Sequence, residues 1–538
     1  MPFSLILDDA MPNRHMQSSR HEFVRVSTLS ERFRYGVGRI LANSVVTWLQ
    51  IVGVTLAKLL TTPFLLNALG AENFGSYAAA TSIALLTSFL TGAMQATSLR
   101  AIALEAKDAD SRGKLFNALL GLHLWTAVCV LLIGYSLGSW VVAHLLVVPE
   151  DVRSTVQVVF LITLGTAAFG TLLAPYEAYL QYKERFAVFA FLDLARSWLL
   201  VPVSYGLMYY DGQRMIIYAT IMAASTILTN LVGMAVVLYD DPLTRPRPTQ
   251  FFNPAAYRKH GAIFSWSLVG SLSAVARNQG LTVLMNVLGG PTASAAFAIG
   301  NQMQGALRQL ASSIQVVLAP RVYSKEASGD RNEMVGAALA ACRISTLVAV
   351  ALAVPLVVEM PTVLLFWLGD MDPTIAFVAR ILILSQLVDQ TSVGAGMANM
   401  AMGQVGRFQS IAGGLSLLVL PLGYGVGVLT GDFRDALGVS VIVVGIVVVA
   451  RILLLQSRAP GIMRRWGIET LSRVAFASVP PTVIAIAVAS LLPPSLSRLA
   501  LTIAVTSAVF GVSAYWLGLS AKERAMLAGL VSRVNRQS

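Results

Sequence analysis

Charge is scarce in this chain. Only 12% of its 538 residues are Asp, Glu, Lys or Arg, about half the share of an average soluble domain. Such a sequence cannot cover its own core in water. That excludes an ordinary soluble protein and leaves the integral membrane class. Cysteine is scarcer still. Cys129 and Cys342 stand far apart in apolar segments, so they offer neither a disulfide framework nor a zinc spacing. Each reads as a small packed hydrophobe. Histidine gives no metal pair, His123 and His144 being 21 positions apart. There is no Walker A loop, which excludes an ATPase of that type, and no dense Asp/Glu cluster marks a metal-dependent transferase. No cofactor, no metal and no enzymatic activity are expected. Residues 1–38 have no apolar run of signal-peptide length, so a cleaved signal is not expected.

Apolar residues are what the chain has, at 56%. Runs of about 20 residues, the length that crosses hydrocarbon, fall near 40–66, 74–99, 115–146, 154–180, 187–209, 216–239, 261–288, 292–318, 335–368, 374–402, 409–430, 436–457, 473–492 and 498–518. The expected fold is an all-α integral membrane protein with fourteen transmembrane helices. Of the 39 Lys and Arg, 28 lie in the tails and alternate loops on one side and only Arg153, Arg214, Arg434 and Arg498 on the other. This bias places both termini in the cytoplasm. It also explains the net charge of +12 by orientation in a membrane, with no nucleic-acid partner.

The chain repeats itself. Leu65-Leu66-Asn67-Ala68-Leu69-Gly70 returns 219 positions later as Leu284-Met285-Asn286-Val287-Leu288-Gly289. Ser197 to Gly206 (SWLLVPVSYG) returns at the same offset as Ser416 to Gly425 (SLLVLPLGYG). Arg185-Phe186 and Arg407-Phe408 are 222 apart. The third and ninth runs are both overlong, and both end in acidic turns, Pro149-Glu150-Asp151 and Asp370-Met371-Asp372. Two six-helix repeats follow, parallel because each holds an even number of spans. The expected boundaries are a basic cytoplasmic tail over 1–38, a first half over 39–239, a proline-containing linker over 240–260 and a second half over 261–457. Two appended helices over 458–518 and a tail over 519–538 complete the chain.

Seven cations remain inside spans: Lys58, Arg196, Arg277, Arg308, Arg343, Arg380 and Arg451. Arg343, Arg380 and Arg451 are close enough to span ends to snorkel. Lys58, Arg277 and Arg308 are deeper, where a lipid-facing charge is costly, so a shared polar cavity is expected for them. Lys58 and Arg277 are equivalent at the 219 offset. Arg196 follows Asp193 by three positions and shares its helix face. Asp389 stands mid-span between Gln386 and Gln390; unpaired, it would be a candidate proton carrier, as would the Asp193–Arg196 pair. Glu177 and Glu359 lie nearer span ends, within reach of solvent. Amides and hydroxyls gather on the seventh and eighth spans, including Asn278 and Gln304, and suit a ligand rich in hydroxyls.

One stretch carries a resemblance. Thr62-Pro63-Phe64-Leu65-Leu66, then Leu69-Gly70-Ala71-Glu72-Asn73-Phe74-Gly75-Ser76-Tyr77, with Leu180-Gln181 to Arg185-Phe186 after the fourth span, resembles the polysaccharide-biosynthesis flippases of the MOP exporter superfamily. That superfamily also holds the lipid II flippase and the multidrug MATE transporters. The second repeat lacks the Phe-Gly-x-Tyr element, as Pro291 to Phe297 shows. The resemblance implies a V-shaped pair of six-helix bundles working by alternating access in a bacterial cytoplasmic membrane. The implied substrate is an oligosaccharide on a polyprenyl diphosphate, with the lipid bilayer, a glycan polymerase and export machinery as candidate partners. Lys58, Arg277, Arg308, Asn278 and Gln304 would then bind substrate, while Asp389, Asp193 and Arg196 would serve coupling. A peptidoglycan-precursor flippase, an ion-coupled drug exporter and a membrane glycosyltransferase or polymerase are the rival readings. The central cations disfavour the exporter, and the absence of large loops disfavours the transferase.

Overall fold

The computed structural model describes residues 46–105, 109–254, 257–258, 268, 270–369, 372–403, 405–521 and 523–525. The arginines of the tail over 1–38, with Lys107, Lys259, the Asp370-Met371 part of the acidic turn and most of the tail over 519–538, lie outside them. Every regular element described is helical. In hydrocarbon a backbone must satisfy its own N–H and C=O groups, and a helix does so within one segment.

Helix α1 is Val46–Leu69. A bent pair follows, α2 (Ala71–Leu86) and α3 (Ser88–Glu105), which meet at 40°. Then come α4 (Ser111–His144), α5 (Glu150–Tyr182), α6 (Ala187–Leu207) and α7 (Arg214–Asp240). The stretch Gly270–Ala327 is 58 residues of helix, about 87 Å at 1.5 Å per residue and far more than one bilayer crossing needs. Gly290, at φ 74 and ψ −169, divides it into α8 (270–289) and α9 (291–327). The rest are α10 (Arg331–Val358), α11 (Met360–Leu368), α12 (Pro373–Gln390), α13 (Val393–Ala401), α14 (Val405–Thr430), α15 (Phe433–Gln456), α16 (Ile462–Leu491) and α17 (Leu496–Gly518). Twelve stretches are each long and apolar enough to cross a membrane. With the bent pair taken as one span and the 58-residue stretch as two, the chain is a multi-pass membrane protein consistent with fourteen crossings.

The repeat has a structural counterpart. Helix α1 ends at Gly70 with φ 79 and ψ 162, and α8 ends at Gly290 with nearly the same backbone. Only glycine adopts this conformation without strain, so the two Leu-Gly motifs are equivalent turns, displaced by one residue from the 219 register. The halves meet just beyond them. Ser294 Oγ donates to the Gly75 carbonyl at 2.9 Å, a pair 219 apart. The contact joins the start of α2 to the start of α9 across the boundary between the halves. The approach is so close that a Cβ on Gly75 would lie 1.8 Å from the Pro291 carbonyl oxygen. Nearby, Asn286 accepts from Val147 N at 2.9 Å and donates to Val147 O at 3.2 Å. These contacts close the Gly70/Gly290 end of the molecule.

Proline shapes the helices in a consistent way. A proline removes the N–H that would serve the carbonyl four residues earlier. Four carbonyls freed like this are taken by a side chain from another helix. Pro63 frees Leu59, and the Trp367 indole donates to it at 2.7 Å. Pro175 frees Thr171, and His123 Nδ1 donates at 2.8 Å, with Ser98 on the other ring nitrogen. Pro361 frees Val357, met by Arg380 Nε at 2.9 Å. Pro481 frees Ala477, met by Ser513 Oγ at 2.8 Å. The first of these links the two halves. The repeated Pro-Tyr-Gly segments differ from each other. Helix α6 runs unbroken through Pro202, whereas α14 holds a π turn over Gln409–Gly413 and a break at Leu418.

Tertiary packing overturns three readings made from distance to a span end. Arg343 is buried, donating to the Glu469 carbonyl at 2.8 Å and pairing with Glu523. Arg380 caps the end of α10 and does not snorkel. Arg498 and Glu359 are both buried and pair at 2.6 Å, with Thr362 and Thr502 completing the cluster at 2.6 and 2.9 Å. Glu359 is therefore not solvated. The Arg343 and Arg498 clusters fasten α16 and α17 to the second half at two separate places. The start of the linker is fastened too: Asp241 is buried, accepts from Tyr179 at 2.5 Å and pairs with Arg112 at 3.0 Å.

Candidate functional site

Helix α9 builds the main cavity. Asn301, Gly305, Arg308, Ser312 and Gln315 recur at three or four residues and form one polar stripe. With Lys58 from α1 and Asp389 and Gln390 from α12, they line a cavity of about 630 Å³. Its α9 wall runs from Ala298 to Gln315, about 26 Å along the axis, away from the closed end. Lys58 and Arg308 are both exposed to this space.

A second chamber of about 200 Å³ adjoins it, sharing Arg308 and Asp389 and adding Arg277, Asn278, Gln409, Ser416 and Arg451. Two π turns face it. One spans Ala276–Gly280 and carries Arg277 and Asn278; the other is Gln409–Gly413. A π turn inserts a residue into the helical register and re-aims the side chains around it, which here turns Arg277 into the chamber. Three guanidinium groups, Arg277, Arg308 and Arg451, lie within Coulomb reach of the single Asp389 carboxylate.

Asp389 is paired. Arg451 Nη1 pairs with its Oδ1 at 2.9 Å and also reaches Ser392 Oγ at 3.1 Å. Arg451 is accordingly a cavity residue, not a snorkelling one. Asp193 and Arg196 do pair, at 2.6 Å, with Gln50 on the other Asp193 oxygen at 3.1 Å and Thr226 on Arg196 at 3.2 Å. Arg196 lines a separate cavity of the first half, which shares Lys58 with the central space. Gln304 is buried and faces a gap of about 20 Å³ beside Arg277 and Asn278. Gln304 lies at one edge of the stripe and faces this gap, while Gln302 and Gln309 lie at the other edge and face the main cavity. The α9 phase, read residue by residue, separates Gln304 from these two. No helix phase could have revealed Arg451, because its partner lies 62 positions away. Among the described residues, no group of His, Cys, Asp and Glu could hold a metal.

No family model matches the chain, and no curated protein matches it. Solved structures do. The fold is MurJ/MATE-like. The chain is similar to the lipid II flippase MurJ in an inward closed conformation, with a TM-score of 0.67 and 13% identity over 88% of this chain and 98% of that one. An inward-facing multidrug-resistance MATE transporter of the MOP superfamily gives 0.63 at 14% identity, over 76% and 96%. A MOP superfamily transporter from Pyrococcus furiosus, described as having a binding pocket of reversed polarity, gives 0.52 at 13%, over 77% and 96%.

Proposed function

We propose that this protein is a flippase that moves a polyprenyl-diphosphate-linked oligosaccharide across the cytoplasmic membrane by alternating access, for export of surface polysaccharide. The observation that carries this reading is the cavity between the halves. Lys58, Arg277, Arg308 and Arg451 line it against one acid, Asp389. A diphosphate needs cations with fork-shaped donors in a space of low dielectric, and the amides of α9 suit the first sugar. The lipid tail would remain in the bilayer.

The bias of Lys and Arg toward one set of loops puts both termini in the cytoplasm. In that orientation the contacts near Gly70 and Gly290 close the outer end, and the cavity belongs to an inward-facing state. The chain itself is read as a carrier and not an enzyme, with the lipid-linked glycan and the bilayer as partners, and with a polymerase and export machinery acting downstream.

A lipid II flippase is the second reading. The likeness to MurJ favours it, and the same cation cluster would serve it. A multidrug exporter is disfavoured, since a cationic drug needs an excess of acids. The test is polymer export in cells lacking the endogenous flippase. An Arg277→Ala, Arg308→Ala variant should reach the membrane at normal level and export no polymer. Full export by that variant would refute the anion site. Rescue of a strain lacking its lipid II flippase by the wild-type chain would favour the second reading.

A further inference from the structure

The first half contains a cavity of its own, about 510 Å³, between α1, α2, α5, α6 and α7. It is not isolated, for Lys58 and Gln302 line both this space and the central cavity. The two walls differ in hydrogen-bonding character. The central wall is rich in donors, with guanidinium, ammonium and amide groups. In the first half the wall is threonine. Thr61, Thr81, Thr163, Thr166 and Thr226 each donate their one hydroxyl proton to a carbonyl a turn back in their own helix, at 2.7 to 2.8 Å. Thr226 already accepts from Arg196 at 3.2 Å; the other oxygens keep free lone pairs, so this threonine stretch accepts.

Its charges are equal in number. Arg196 is held by Asp193, and the wall carries one further cation, Lys58, and one further acid, Glu177. Phe74, Tyr77 and Tyr218 supply aromatic surface, with the two tyrosine rings edge to face at 5.5 Å. A wall that accepts, is charge-balanced and is partly aromatic suits a ligand with many neutral donors around an apolar face. A sugar ring has that chemistry, with its hydroxyls at the edge and its C–H groups on the face.

We propose that this cavity is a sugar-recognition pocket, taking neutral, hydroxyl-rich sugar residues of the glycan while the cations of the central cavity hold the diphosphate. The inference rests on the flippase reading above and assigns the glycan's selectivity to the first half.

The test is equilibrium binding to the full chain in nanodiscs. The probes are undecaprenyl diphosphate alone and the same carrier bearing one neutral sugar: glucose, galactose or N-acetylglucosamine. Two variants alter the pocket. Thr81→Val with Thr166→Val removes two acceptors at nearly constant shape. Gly170→Leu fills the space, since a Cβ there meets only Asn230 Nδ2 at 3.7 Å. Bare carrier should bind all forms alike. At least one sugar should tighten wild-type binding by about tenfold, the worth of one or two neutral hydrogen bonds. That gain should fall below about twofold in both variants. Bare carrier binding with no gain for any sugar, or a gain intact in both variants, would overturn the pocket alone. Bare-carrier binding that ignores Arg277→Ala with Arg308→Ala would overturn the flippase reading beneath it.

Discussion

At the scale of single residues, the central question is what Asp389 does. Its carboxylate sits among three guanidinium groups and is held by Arg451. An acid in that position spaces the cations and prevents their mutual repulsion from opening the site. Removing Arg451 would release Asp389 to pair with Arg277 or Arg308, and the carboxylate would then compete with the proposed diphosphate. Arg451→Gln should therefore raise the KM for lipid-linked substrate by about tenfold, the worth of a charge-assisted hydrogen bond. Adding Asp389→Asn should recover part of the loss. Transport kinetics in proteoliposomes check this, and a double variant worse than the single one would refute it. The Glu359–Arg498 pair makes a different point. Removing one member of a buried ion pair strands the other, at about 3–5 kcal/mol, whereas replacing both is far milder. Glu359→Gln or Arg498→Met alone should lower the Tm markedly, and the double variant less than either.

At the scale of elements, proline and its substitutes matter most. The bond from Trp367 to the Leu59 carbonyl is a latch between the halves, and it exists because Pro63 cannot serve that carbonyl. Trp367→Phe should loosen the closed end. Pro63→Ala supplies the missing N–H and should make Trp367→Phe nearly neutral. The coupling in that double-mutant cycle should be about 1 kcal/mol, measured by unfolding in detergent, and zero coupling would contradict the latch. Gly75→Ala is a sharper probe of the same end. Its Cβ would lie 1.8 Å from the Pro291 oxygen, so the closed contact cannot form unchanged. The variant should label faster at a cysteine placed at Ala295, and unchanged labelling would refute the contact.

Much of this was legible in the sequence. The repeat was visible in the matched segments Leu65–Gly70 and Leu284–Gly289, although the second positive-φ turn falls one residue later, at Gly290. Lys58 and Arg308 line the central cavity because deep charge has few places to go. The failures share one cause. Depth along a span says nothing of what lies across from a side chain, so the partners of Arg451, Arg343, Arg380 and Glu359 were not foreseen. Gln304 faces the small gap beside Arg277 and Asn278, whereas Gln302 and Gln309 face the main cavity, a division that counting amides on the helix does not reveal.

At the scale of the whole molecule, the matter is how a cycle is driven. A diphosphate carried outward moves negative charge toward the positive exterior, which an inside-negative potential favours by about 2.3 kcal/mol per charge per 100 mV. Cavity cations fixed near the midplane would move little charge on the return. Asp389, paired with Arg451, is a poor candidate for carrying a proton. Membrane potential is thus the expected drive, with the Asp193–Arg196 pair as the remaining candidate for a proton contribution.

The most direct measurement of the anion cavity is flipping of a fluorescent polyprenyl-diphosphate glycan in proteoliposomes, with potential and pH gradient set independently. Wild-type protein should flip the lipid at a rate that rises with inside-negative potential, and Arg277→Ala with Arg308→Ala should stop it at equal reconstitution. Flipping that survives the loss of both arginines, or that ignores potential, follows pH and falls with Asp389→Asn, would contradict a cation cavity driven by the membrane potential.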